Sequence, residues 1–272
     1  MVLPLRDQNP TRRFPIITVV LIALNVLVYF AVQPHDTAAH ENRFLYDHAA
    51  IPCELVHGHE LRQPQLALSR CDAPNRAVDV ELQGQLVHVP NAPVAPGKNI
   101  YLAVIVSMFL HANLLHLFGN MLFLWIFGNN VEDHLGRIGY TLFYFAAGIV
   151  AAVAFSVFNA SSIDVVIGAS GAIAGVMGAY LVWFPRARIL SVIFPIVFLP
   201  FVIPAYVVLL LWFVMQFFTN PNTGVAWVAH VGGFTFGALL AYLLRGTHGP
   251  STRHVPEPPP LPGAWPGGFR SS

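Results

Sequence analysis

Gly168-Ala169-Ser170-Gly171-Ala172-Ile173-Ala174-Gly175-Val176-Met177-Gly178 opens an apolar stretch that runs on to Phe184. It carries no charged residue and is long enough to span a bilayer, for which ~17–25 apolar residues suffice. Its glycines recur at the spacing by which helices pack closely. Ser170 stands at the head of this helix, where free backbone N–H groups and the positive end of the dipole favour negative charge. Two readings compete here. One is a packing stripe with a capping serine; the other is a nucleophile beside an oxyanion site.

Working outward, five more stretches have membrane-span character: Phe14–Gln33, Asn113–Val131, Ile138–Phe158, Pro200–Phe218 and Val225–Leu244. Composition agrees. Of 272 residues, 56% are hydrophobic and only 10% charged, where soluble domains carry about 25% charged residues. Most of the surface is therefore expected to face lipid. A net charge of +1 leaves no polyanion-binding character, so nucleic acid is not an expected partner. The first apolar run is longer than a signal-peptide core of about 7–15 residues and reads as a retained anchor.

Charge placement predicts orientation, because cytoplasmic loops are enriched in Lys and Arg. Arg6, Arg12, Arg13, Arg137, Arg186, Arg188 and Arg245 alternate with loops 159–167 and 219–224, which have neither. The expected fold is an all-α membrane protein, a six-transmembrane-helix bundle with both termini cytoplasmic. Residues 1–13 form its N-terminal segment, 14–244 the membrane domain, and 245–272 a disordered Pro/Gly-rich tail. Loop 34–112 lies on the outer side. Its segment 34–98 is polar and holds scattered histidines, read as solvated rather than metal-binding, and Cys53 and Cys71, whose pairing depends on distance. Residues 99–112 turn apolar and are expected at the interface or on the bundle. The three prolines Pro195, Pro200 and Pro204 break the run 188–218, predicting a cytoplasmic or re-entrant connection before the fifth span.

Polar groups at bilayer depth are costly and raise a functional reading by default. His230 lies in Ala229-His230-Val231-Gly232-Gly233, with Gly233 and Gly237 on the same helix face. Those glycines permit the close helix approach that a Ser–His hydrogen bond requires. His116 and Asn120, four apart, share a face of the second span; His111 sits near its outer end. Asn does not titrate, so this pair suits charge stabilisation better than proton relay. Three histidines (His111, His116, His230) would offer three nitrogens to a metal, but the His-Glu-x-x-His pattern is absent. No metal or cofactor is expected.

Taken in order, His111-Ala112-Asn113-Leu114-Leu115-His116-Leu117-Phe118-Gly119-Asn120, Gly168-Ala169-Ser170-Gly171 and Ala229-His230-Val231-Gly232-Gly233 resemble the rhomboid intramembrane serine proteases over residues 100–244. The resemblance implies a six-helix rhomboid-like fold and a serine endopeptidase that cuts single-span membrane proteins within the bilayer. It implies Ser170 as nucleophile and His230 as base, a dyad with no aspartate. His116, Asn120 and the Ser170 backbone N–H would line the oxyanion hole. His111, Glu132, Gly168, Gly171, Gly233 and Gly237 would be structural supports. Two positions depart from the family pattern. Ile100-Tyr101-Leu102-Ala103 replaces a Trp-Arg pair, and Ala174 stands where some members stack a tyrosine on the histidine, so His230 needs another orienting contact. An inactive binder of membrane helices and a transporter are the alternative classes. Bulky Trp212, Phe213, Phe217 and Phe218 suggest a lateral gate at span five. A multi-pass plasma-membrane protein of a prokaryote is the expected setting.

Overall fold

Where the chain is apolar it is helical, and where apolar runs are broken by proline it pairs into short strands. A computed structural model describes residues 2–82, 84–193, 197–219 and 226–246. In chain order the elements are β1 (Val2–Asp7), α1 (Ile16–Ala31), α2 (Ala38–His48), α3 (Pro52–His57), α4 (Gln63–Ala67), β2 (Val78–Leu82), β3 (Gln85–Val89) and α5 (Ile100–Ser107). There follow α6 (Leu114–Phe158), α7 (Ser170–Trp183), β4 (Arg188–Ile193), β5 (Val197–Pro204), α8 (Ala205–Gln216) and α9 (Trp227–Leu243).

Among the described residues α6 is the one helix long and apolar enough to cross a membrane; α1, α7, α8 and α9 are shorter apolar helices. α6 is two arms joined at Gly136, whose φ of 72° and ψ of 168° no L side chain adopts without strain. The break falls in the polar gap expected between the second and third spans. Counting the two arms of α6 separately, six apolar helical segments of ten residues or more result among the described residues.

α7 is the centre of the bundle: every residue from Gly171 to Tyr180 is buried. It meets α9 through backbone. A Cβ on Gly233 would collide with the Gly171 carbonyl oxygen, one on Gly237 with that of Gly175, and one on Gly178 with that of Phe234. The small-residue stripes thus face each other across one seam. Around it pack Phe127, Tyr140, Tyr144 and Tyr180, all fully buried. Large apolar side chains such as Phe30, Leu115, Ile138, Phe158 and Leu243 point outward, as a lipid-facing surface requires.

Three expectations need correction. The fold is not purely α: β1, β4 and β5 form an antiparallel sheet, and β2 and β3 a hairpin. The N-terminal segment is therefore part strand, with Leu3 opposite Val192 and Asp7 opposite Ile189. The fifth apolar helix begins at Ala205, not Pro200. Residues 197–204 carry β-branched and aromatic side chains, which suit a pleated surface, and pair with β4 up to Arg188 opposite Pro204. Pro204 has no N–H to donate and takes the extended N-cap conformation (ψ 145°). Of the tail, Leu244–Gly246 is a short 3₁₀ turn, and residues 247–272 lie outside the described residues.

The segment between α1 and α5 is folded. Cys53 and Cys71 are disulfide-bonded, with Cα atoms 5.8 Å apart, and pack with Ile51, Leu61 and Val94 in a small core of their own. Lys98 Nζ lies 2.7 Å from Glu54 Oε2, both side chains 2% exposed. Burial holds the Lys98 ammonium below its ordinary value, against the pull of Glu54. The unit docks on the bundle where Ser107 Oγ accepts from the Ala50 N–H (2.6 Å) and the Ser162 carbonyl from the Cys53 N–H (3.0 Å). The apolar stretch after it becomes α5, which buries Ala103 and Val104 against the bundle.

Candidate active site

Ser170 is the first residue of α7, and His230 lies in the first turn of α9. The α7–α9 seam brings them together, with Ser170 Oγ 2.8 Å from His230 Nε2. Gly171 and Gly233, one step and one turn further along, let the backbones approach this far. The Ser170 backbone N–H, at the start of the helix, has no intrahelical acceptor.

The first arm of α6 supplies the other side. Asn113 caps it, its Oδ1 accepting from the His116 N–H at 2.9 Å. Gln33, just past the end of α1, grips His111, two residues before this cap. Gln33 Nε2 donates to the His111 carbonyl (2.7 Å), and Gln33 Oε1 accepts from the His111 N–H (3.1 Å). The His111 ring is fully buried and stands edge-on to His116, centroids 5.1 Å apart. His111 is not among the residues that line the cavity beside Ser170 and His230. His116 Nδ1 accepts from the Ala112 N–H at 3.4 Å, so a neutral ring carries its proton on Nε2. Asn120 Nδ2 is buried with no protein acceptor among the described residues, a donor ready for a ligand.

Gly168 has φ of 117°, and a Cβ there would lie 2.8 Å from His116 Cε1 and 3.6 Å from Asn120 Nδ2. Its backbone must be bare for the 168–170 turn to sit against those side chains. A cavity of about 650 Å³ collects His116, Asn120, Ser170, Trp212, Trp227 and His230. Asn159, Ser162 and Asp164, from the α6–α7 connection beside the disulfide-bonded unit, border the same space.

Glu132 stands apart from this cavity. Its Oε1 accepts from the Ile17 N–H (2.9 Å), and its Oε2 from the Thr18 N–H and Oγ1 (both 2.8 Å). α1 has no capping side chain of its own, so Glu132 caps it from α6 and ties the two helices. The three histidines weighed as metal ligands do not converge as one. Among the described residues the cluster with ligand-like spacing is Cys53, His57 and Cys71, and its sulfurs are bonded to each other.

His230 has two neighbours on α8: Gln216, which sequence reasoning missed, and Trp212, which it read only as part of a gate. Gln216 Oε1 lies 2.8 Å from His230 Nδ1, and the Trp212 ring sits 5.7 Å from the imidazole. A lone amide in an apolar span was the available signal for Gln216.

Comparison with known proteins bears on the same part of the chain. The Rhomboid domain family model matches residues 98–247. Rhomboid protein 1, mitochondrial, of Saccharomyces cerevisiae is 29% identical over 153 residues, 53% of this chain and 42% of that protein. YdcA of Bacillus subtilis is 30% identical over 159 residues, 56% of this chain and 71% of its own length. Rhomboid protease GlpG of Yersinia pestis is 25% identical over 134 residues, 49% and 45% of the two chains. The match thus spans less than half of the yeast protein. With a family model covering more than half of its length, the chain belongs to the rhomboid family of multi-pass helical membrane proteins, which includes intramembrane serine proteases.

Proposed function

We propose that this protein is an intramembrane serine endopeptidase that cuts transmembrane helices of single-span proteins near the outer face of the bilayer. The observation that carries the reading is the 2.8 Å contact between Ser170 Oγ and His230 Nε2 at the head of a buried helix. Support comes also from the family's membership and from Asn120, a buried donor without a protein partner.

In this reading Ser170 Oγ attacks the scissile carbonyl as its proton passes to His230 Nε2. The oxyanion forms beside three donors: the Ser170 backbone N–H, Asn120 Nδ2 and His116 Nε2–H. Each donor of this kind is typically worth about 10²–10³ in rate. The tetrahedral intermediate collapses, and His230 returns the proton to the leaving amine. Water then enters from the outer mouth, His230 deprotonates it, and the acyl-enzyme is hydrolysed. A helical substrate has to unwind first, because its carbonyls are engaged in its own hydrogen bonds. Small or helix-breaking residues around the cut are therefore expected.

The six apolar segments are read as six spans with both termini cytoplasmic, which puts the disulfide-bonded unit outside, where disulfides persist. A bacterial plasma membrane suits this arrangement. The reaction needs no cofactor.

A serine-reactive phosphonate and a helical reporter test the reading together. Wild-type protein is expected to be labelled at Ser170 and to cut the reporter, while Ser170→Ala and His230→Ala do neither. Folded wild-type protein that binds reporter helices without cutting or being labelled would instead be an inactive binder.

A further inference from the structure

We propose that Gln216 is the positioning residue of the Ser170–His230 dyad, an uncharged third member held on α8; this rests on the protease reading above. The hydrogen-bond roles follow one from another. Gln216 Nε2 lies 2.9 Å from the Trp212 carbonyl oxygen. A carbonyl only accepts, so the NH₂ end of the amide must face it, and Oε1 must face the His230 ring, 2.8 Å from Nδ1. Oε1 also only accepts, so Nδ1 bears the proton. A neutral imidazole has one such proton. Nε2 is left with its lone pair toward Ser170 Oγ at 2.8 Å, the state a general base requires.

The geometry is locked from both sides. Gln216 is 7% exposed, so little water competes for its oxygen. The Trp212 ring lies along the imidazole and is itself stacked on Phe234, centroids 6.1 Å apart. An amide orients the ring and fixes the tautomer, as a carboxylate would, without placing a charge at bilayer depth, where it is far more costly. The dyad comes from α7 and α9, but its orienting group comes from α8. Displacing α8 therefore loosens the base even if the seam stays intact.

The test uses the full chain in detergent. Gln216→Met keeps the shape and removes the acceptor; Gln216→Glu keeps the acceptor. Loss of the partner that orients a metal-ligating histidine costs about 10–100-fold, and the same scale is taken for the orienting partner of His230. For Q216M the expected result is a fall of about that size in kcat, with KM little changed and slower phosphonate labelling of Ser170. Q216E should recover most of the lost rate. Labelling of folded Q216M at the wild-type rate, or a Q216E as impaired as Q216M, overturns the proposal. Should Q216M fail to fold, ¹⁵N-histidine spectra of wild-type protein decide, with the His230 signal assigned by its loss in His230→Asn. An Nδ1–H tautomer upholds the assignment, and an Nε2–H tautomer defeats it. Failure of the protease reading looks different: the tautomer is as assigned, but wild type is neither labelled nor active.

Discussion

The seam between α7 and α9 is the most exacting feature of the bundle, and Gly237→Ala probes it without touching the site. The new Cβ would lie 2.6 Å from the Gly175 carbonyl carbon and 2.8 Å from its Cα, and nearer still to its oxygen. Helix backbone cannot swing aside as a side chain can. Ordinary contact begins at 3.4 Å, so the helices must part by about 0.8 Å to clear the carbonyl carbon, and by more to clear the nearer oxygen. Adding that opening to the 2.8 Å between Ser170 Oγ and His230 Nε2 gives about 3.6 Å, too long for a hydrogen bond. Two effects oppose each other in stability. Alanine gains about 0.5–1 kcal/mol over glycine in a helix, while overpacking costs about 1–3 kcal/mol; overpacking wins. In catalysis a misplacement near 1 Å can cost about 10²-fold. The measurement is thermal unfolding in detergent alongside the rate of phosphonate labelling at Ser170. The control is Gly139→Ala, whose Cβ would meet nothing nearer than Leu135 Cβ at 3.4 Å and should be neutral or slightly stabilising. If G237A labels and melts like wild type, the seam does not set the dyad distance, and the reasoning fails.

Gly136→Ala tests the break in α6. Nothing lies within 4 Å of its would-be Cβ, so the loss of about 1–3 kcal/mol expected from the backbone alone should appear as a lower Tm; an unchanged Tm would mean the two arms join differently. Gly168→Ala drives a methyl against His116 and should cut kcat well beyond any loss of stability, a pattern that equal kcat in a folded variant would contradict. In the disulfide-bonded unit, Glu54→Gln or Lys98→Met strands one buried charge and should cost about 3–5 kcal/mol. The double variant should cost less than the sum of the two. Limited proteolysis of segment 34–98 measures this, and strict additivity would show that the pair is not coupled. Finally, Trp212 and Phe213 should part company. Phe213 packs on Phe234 (4.7 Å) away from the imidazole, so Phe213→Ala should ease entry past α8 and raise cleavage. Trp212→Ala strips the cover from His230 and should lower it. Equal effects would show that the two rings serve one role.

The parts legible in the sequence are those whose physical cost is local. Ser170 and His230 stand out because a hydroxyl and an imidazole interrupt runs that otherwise suit lipid, and Gly171, Gly233 and Gly237 show by spacing alone that the two runs can meet. Arg137 falls in a polar gap that separates the second and third spans. What was not legible depends on partners far along the chain. Residues 188–204 are apolar without a clear period, so helix and strand are indistinguishable there; β1, which pairs with β4, lies some 180 residues earlier. Cys53 and Cys71 carry no sign of their distance, and the Glu54–Lys98 pair reads as two ordinary loop charges. Gln216 is the instructive case. It obeys the rule that exposed His230, a polar group in an apolar helix, yet it lies at the end of α8, where an amide can equally face headgroups and water. Only the α8–α9 packing shows that it turns inward. Position in the helix does not separate the cases, since Ser170 and His230 also lie at helix starts; those two stand beside glycines at close-packing spacing, whereas Gln216 is flanked by Met215, Phe217 and Phe218 and carries no such mark. The groups that orient a site from its rim are the ones that coordinates must supply.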